Sequence, residues 1–217
     1  MMQVVKVRML PTPEQAAALQ ATLRTCNSAA SWLSAAMHAT HVHRKADAQQ
    51  QFYGELKQRF GLSAQPAIRV IGKVVDAYRT LRASIDAGNF GPPSADKRKA
   101  VQDTPVRFRT DAAQPFDARC LSWQIPETAG GRTATVSIWT TRGRCKGVRV
   151  LAATRDLAML RTHPIGETDL IYRDGNWYLY AAVEVPQAPL TDPVNGFIGG
   201  SSTSPPPATG NVPAARG

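Results

Sequence analysis

The spacing of apolar residues changes twice along this chain, and that change limits the fold more than any single motif does. Residues 2–10 alternate around Val4, Val5, Val7 and Met9 and stop at Pro11, which predicts a short strand. Thr12-Pro13-Glu14-Gln15 then supplies a cap, a proline at the first helical position and a Gln three residues after the cap. Behind it Leu19, Leu23, Cys26, Ala30, Leu33 and Met37 recur every three or four residues, predicting a helix from about 12 to 39. A second helix is expected around Gln49–Phe60, stopped by Gly61, and a third from Ser63 to about Ala87. The core face of the third is Ile68, Ile71, Val74 or Val75, Tyr78 and Leu81, with Arg69 and Lys73 on another face.

Gly88, Gly91, Pro92 and Pro93 end the helical stretch, and Lys97-Arg98-Lys99 reads as a solvated basic loop. From Val106 the period returns to two. VRFRT, RTATVSIWT, CKGVRVL, DLIYRD and NWYLYAAVEV predict five or so strands, interrupted by a short helix near Thr154–Leu160. The expected plan is α+β: one strand, about three helices, then a β-barrel or curled sheet. Ser201–Gly217 holds three serines, four prolines, no acid and no aromatic residue, and reads as a disordered tail.

Charge narrows the function. Twenty-six Lys and Arg against 16 Asp and Glu give a net charge of +10 over 217 residues. Such an excess makes nucleic acid the first partner to consider, ahead of a membrane. No run of eighteen apolar residues and no secretory pattern is present, and Cys26, Cys120 and Cys145 lack pair spacing, so a cytoplasmic chain is expected. Six basic residues and no acid lie between Arg132 and Arg155. Four of them, Arg142, Arg144, Lys146 and Arg149, crowd one hairpin suited to phosphates.

A second basic group comprises Arg69, Lys73, Arg79 and Arg82 on the third helix, followed by Lys97, Arg98 and Lys99. Gln65 and Arg69, at the start of that helix, suit presentation to base edges; the competing reading pairs Arg79 and Arg82 with Asp76 or Asp86. Trp123, Trp139, Tyr172 and Trp177 suit either base stacking or the core. His38, His41 and His43 lack a second ligand pair at zinc spacing, and no hydrolase, metalloprotease or nucleotide-loop motif occurs. The scattered aspartates nominate no two-metal nuclease centre, so no catalytic residue is assigned.

Four segments together resemble TnpB-type proteins, encoded by insertion sequences, labelled transposase OrfB, and related to type V CRISPR effectors. They are KVRMLPTPEQAAALQATL, SAQPAIRVIGKVVDAYRTLR (63–82), FRTDAAQPFDARCLSWQ (108–124) and IYRDGNWYLYAAVEV; the resemblance runs over about residues 3–199. It implies a wedge-type, OB-like β-barrel from residues 1–11 and 104–190, with a helical recognition insert over 12–103. It further implies that the chain holds a guide RNA and reads target-adjacent DNA. Cutting in that family is done by a RuvC-like domain whose carboxylates bind divalent metal, typically Mg²⁺; this chain itself is expected to carry no cofactor.

The resemblance breaks at the RuvC entrance. After NGFIG (195–199) the family continues V-D-L-G, where the Asp is the first catalytic carboxylate; this chain continues GSSTSPPPATG. The shifted codon frame of that stretch permits GVVNLATTSDG, which looks like the segment that follows V-D-L. Residues 191–217 are therefore expected to be a remnant of the RuvC start with a frameshifted tail, and the chain a nucleic-acid binder without nuclease activity. A stand-alone helix-turn-helix regulator, or a complete DNA-cutting transposase, are the alternatives. Sequencing the gene past codon 199 should show a continuous alternate frame encoding RuvC motifs; unrelated sequence there would end the frameshift idea.

Overall fold

The computed structural model describes residues 1–127 and 134–186, and its elements follow the change of period. Strand β1 (Met2–Leu10) is followed by helices α1 (Pro13–Ala39), α2 (Lys45–Phe60), α3 (Ala64–Asp86) and α4 (Asp96–Gln102). Then come β2 (Gln114–Phe116), β3 (Leu121–Gln124), β4 (Thr135–Thr140), β5 (Gly143–Leu151), α5 (Thr154–Thr162), β6 (Ile165–Arg173) and β7 (Asn176–Glu184). The seven strands form one antiparallel sheet in the order β2-β6-β7-β1-β5-β4-β3.

The sheet cannot be flat. Six inter-strand steps would hold its edges roughly 29 Å apart at the usual spacing. Yet the edge strands β2 and β3 are joined by only Asp117–Cys120, and that link is a tight turn. The Cys120 and Leu121 N–H groups both donate to the Asp117 carbonyl at 2.9 Å. Even fully extended, the link would reach no more than roughly 18 Å. The sheet therefore curls into a nearly closed barrel, with Val5, Val7, Met9, Phe116, Val136, Ile138, Leu170 and Leu179 inside. The β6–β7 hairpin turns through Asp174 and Gly175, both at positive φ (51° and 74°), as a two-residue turn of the I′ type requires.

Helix α1 belongs to two cores. Its Thr12–Gln15 capping box is formed in both directions, at 3.3 and 3.0 Å, and contributes about 1 kcal/mol. Burial weighs more, at roughly 1.5–3 kcal/mol for each fully buried Leu. Leu19 and Leu23 pack into the barrel, while Cys26, Ala30, Leu33 and Met37 pack against α2 and α3. One continuous helix thus ties the barrel to the helical layer.

Two expectations need correction. VRFRT is not a strand, because helix side chains already occupy its backbone groups. Ser31 Oγ accepts from the Phe108 N–H at 3.1 Å, and the Tyr78 hydroxyl accepts from the Val106 N–H at 3.4 Å. Asn27 Nδ2 donates to the Thr110 and Ala112 carbonyls at 3.1 and 2.8 Å. Lys97-Arg98-Lys99 is not a loop but lies in the first turn of α4, after Gly91 and the two prolines have turned the chain. Helix α2 also begins four residues earlier than its apolar pattern indicated, and the expected C-terminal tail lies outside the described residues.

Lys73 is a partly buried cation of this joint. Its ammonium donates to Asn27 Oδ1 and to the Ala113 carbonyl (2.6 Å), and sits 5.2 Å from the centre of the Phe108 ring. Burial pushes its pKa down to about 8 from 10.5, with Cys26 and Asp169 opposing. Between those two values the unfolded chain keeps a proton that the folded chain has released. The penalty is thus fully present below pH 8 and is relieved as pH rises toward 10.5. Urea unfolding of wild type and Lys73→Met should show wild type gaining stability relative to the variant across this window, on the order of 3 kcal/mol. A difference that stays flat with pH would remove Lys73 from this role.

Candidate nucleic-acid interface

The outer face of the barrel is built by simple alternation. In β1 the odd residues Val5, Val7 and Met9 are buried, so Lys6 and Arg8 point outward and are exposed. In β7 Trp177, Leu179, Ala181 and Val183 are buried, so Tyr178 and Tyr180 lie on the outer face. Register sets Lys6 opposite Tyr180 and Arg8 opposite Tyr178. The Lys6 ammonium lies 4.6 and 5.6 Å from the centres of the Tyr178 and Tyr180 rings, and Arg8 Nη2 donates to Asn176 Oδ1 at 2.7 Å. Across β1, Leu151 faces Arg8 and Arg149 faces Leu10. Val4 and Leu151 are 69% and 50% exposed, so apolar surface lies between the cations, with Glu184 opposite Met2 and Asp169 opposite Tyr180 as the acids on the β7 and β6 side.

A bulge extends this face into the β4–β5 hairpin. Between Val136 and Ile138 the pairing moves from Val148 to Cys145, so β5 carries one extra residue there. Gly147, at φ 63°, absorbs the left-handed backbone of that bulge. Arg144 and Arg149 are five residues apart and would lie on opposite faces of a regular strand. The bulge puts both outside. Arg144 is braced by donation to Ser122 Oγ at 2.8 Å. Arg142, Arg144, Lys146 and Arg149 are all exposed, and none pairs with a carboxylate among the described residues. Unpaired surface cations keep their full attraction for phosphates, whereas exposed ion pairs are worth at most about 1 kcal/mol and give up little when exchanged.

The start of α3 lies elsewhere, against the β2–β3 turn. Gln65 Nε2 and Arg69 Nη2 (2.8 Å) both donate to Asp117 Oδ2, and Arg69 Nη1 reaches Glu167 Oε2 at 2.6 Å. Arg119 Nη1 donates to Gln65 Oε1 at 3.1 Å, and the Arg119 N–H donates to Asp117 Oδ1 at 3.1 Å. Burial pushes the Asp117 carboxyl up. The Arg69 and Gln65 bonds, the Arg69 charge and the Arg119 N–H together outweigh this and hold it below the usual carboxylate value. Presenting Gln65 and Arg69 to base edges would require these pairs to open.

The remaining sequence-predicted residues divide by position. Lys97 and Lys99 are exposed on α4, while Arg98 is half-buried and faces α3. Arg79 pairs with Asp76 at 3.0 Å, as the competing reading had it for that residue. Trp177 is buried in the barrel and Tyr172 packs on it at 4.7 Å; Trp123 and Trp139 pack against the same core. Lys6, Arg8, Tyr178 and Tyr180 were not singled out from sequence. The alternation in VVKVRM and WYLYAAV contained the signal, but only register shows that the two strands are neighbours.

Among the described residues no group of three His, Cys, Asp or Glu is placed to hold a metal ion, and no helix is long and apolar enough to cross a membrane. Neither a scan against protein-family models nor a search of curated proteins finds a match to this chain.

Replacing Lys6, Arg8, Arg144 and Arg149 together by Gln should leave the fold intact, since all four are exposed. For a single-stranded ligand, each phosphate contact contributes roughly 0.7 to the slope of log K against log salt. The quadruple variant should therefore lose up to about 2.8 units of that slope. Filter binding across a salt series measures it, and an unchanged slope would move the interface off this face.

Proposed function

We propose that this chain is the nucleic-acid-binding portion of a TnpB-type, RNA-guided DNA endonuclease, and that it binds without cutting. The observation that supports this best is the outer face of β7, β1 and β5, where Tyr178 and Tyr180 adjoin Lys6 and Arg8 and the face continues along β5 to Arg149 and Arg144. Cations along a strand path neutralise phosphates, and ring faces stack on bases of any identity. Such a surface has little capacity to discriminate sequence. That suits a protein which holds a guide and leaves sequence recognition to base pairing. In this reading the curled sheet is the wedge-type barrel and α1–α4 are the recognition insert, with target-adjacent DNA read by the two together.

Phosphodiester hydrolysis in the resembled family needs carboxylates that hold divalent ions. Where that family carries V-D-L-G, this chain reads GSST after Gly199. Binding is accordingly retained and the metal-dependent step is not assigned to this chain.

The full chain should be purified from cells carrying its own locus, and its bound nucleic acid sequenced. A structured RNA from that locus is expected, with no Mg²⁺-dependent nicking of DNA by the complex. Specific duplex binding without RNA would replace this reading by that of a DNA-binding regulator. Nicking would overturn the non-cutting assignment.

A further inference from the structure

A groove of about 800 Å³ opens between the C-terminal end of α1, the start of α2, the second half of α3 and α4, apart from the barrel face. Its rim carries Arg44, Lys45, Arg79, Arg82 and Arg98 against two carboxylates, Asp86 and Asp103. Its floor is apolar, formed by Val75, Tyr78, Leu81 and Ile85. The Tyr78 hydroxyl is held at 2.9 Å from Ser34 Oγ, which fixes the ring and leaves it as part of the wall. Arg79 has an exposed partner in Asp76 at 3.0 Å, whereas Arg82 and Arg98 form no ion pair among the described residues.

A second observation marks the same place. His41 lines the groove and has φ 54°, a left-handed conformation that a side chain resists. It stands just past the end of α1, where the Val42 N–H donates to the Met37 carbonyl at 3.0 Å and the His41 N–H to the His38 carbonyl at 3.4 Å. This is the helix ending that ordinarily takes glycine. A histidine in that position carries a conformational cost that glycine would not, while the turn it makes closes the end of α1 through those two bonds. Such strain is characteristic of binding positions.

We infer that this groove binds one or two nucleotides of a single strand, with phosphates on Arg82 and Arg98 and a base against Tyr78 and the apolar floor. The inference rests on the nucleic-acid reading above and names a second contact for the same ligand. The volume of about 800 Å³ lies in the range of small-ligand sites, roughly 300–1,000 Å³. Cationic rim and apolar floor together match the two chemistries of a nucleotide, and a free phosphate would use only the first.

The test uses the full chain and fluorescein-labelled pentauridylate, read by anisotropy across a salt series. Arg82→Gln with Arg98→Gln should weaken binding at least about tenfold and lower the salt slope by roughly 1.4, as expected for two single-strand phosphate contacts. The Lys pair at the same positions should retain the slope. His41→Gly should raise Tm while weakening binding, an opposition that a purely structural residue would not produce. Inorganic phosphate competing as well as uridine monophosphate would overturn the base contact. Unchanged affinity and slope in the Gln pair, or no binding of pentauridylate by wild type, would overturn the groove. Recovery of a locus RNA would leave the guide-binding reading standing in either case. Groove-dependent binding without any such RNA would do the reverse.

Discussion

The short turn Asp117–Cys120 is the constraint on which the rest of this structure depends. Its backbone closes the curl, because β2 and β3 cannot be the two edges of a flat seven-stranded sheet and be four residues apart. Its side chain anchors the helical layer, because the Asp117 carboxylate accepts from Gln65, Arg69 and the Arg119 N–H. Together with Glu167, which also accepts from Arg69, this carboxylate ties the start of α3 to the barrel. Protonating it would remove one of the two carboxylate charges that Arg69 faces. Because its folded pKa is depressed, its contribution is present above the usual carboxylate pKa and is lost as pH falls through the folded value.

From that joint the charge of the molecule divides into two kinds. Arg69 and Lys73 are inward cations, matched to Asp117, Glu167, Asn27 and the Ala113 carbonyl, and they hold helices to barrel. Lys6, Arg8, Arg142, Arg144, Lys146 and Arg149 are outward cations without acidic partners among the described residues. The distinction matters because a matched, partly buried cation costs several kcal/mol to withdraw, whereas an exposed one binds phosphate by releasing only water and counterions. Net charge alone cannot separate these populations. The barrel face and the groove over α3 and α4 both draw on the second kind.

Much of the fold was legible because period is a local property. The strand at 2–10, the capping box at Thr12–Gln15 and the long stripe from Leu19 to Met37 were readable without any partner. VRFRT shows where that reading ends. Its composition is that of a strand, but Ser31, Asn27 and Tyr78 arrive from distant helices and take the hydrogen bonds that a sheet would have used. The basic run at 97–99 erred for a different reason, since charge and preceding prolines signal exposure and not the absence of helix.

What the sequence determined by itself was the alternation of elements, the excess of positive charge and the concentration of basic residues at 142–149. What only the tertiary structure decided was the orientation of each cation. The bulge at Gly147 brings Arg144 and Arg149 to one face, and strand order sets Lys6 beside Tyr178 and Tyr180. Packing turns Arg69 and Lys73 inward. Composition and period are sums over neighbours in the chain, but a charge becomes a ligand site only through neighbours in space.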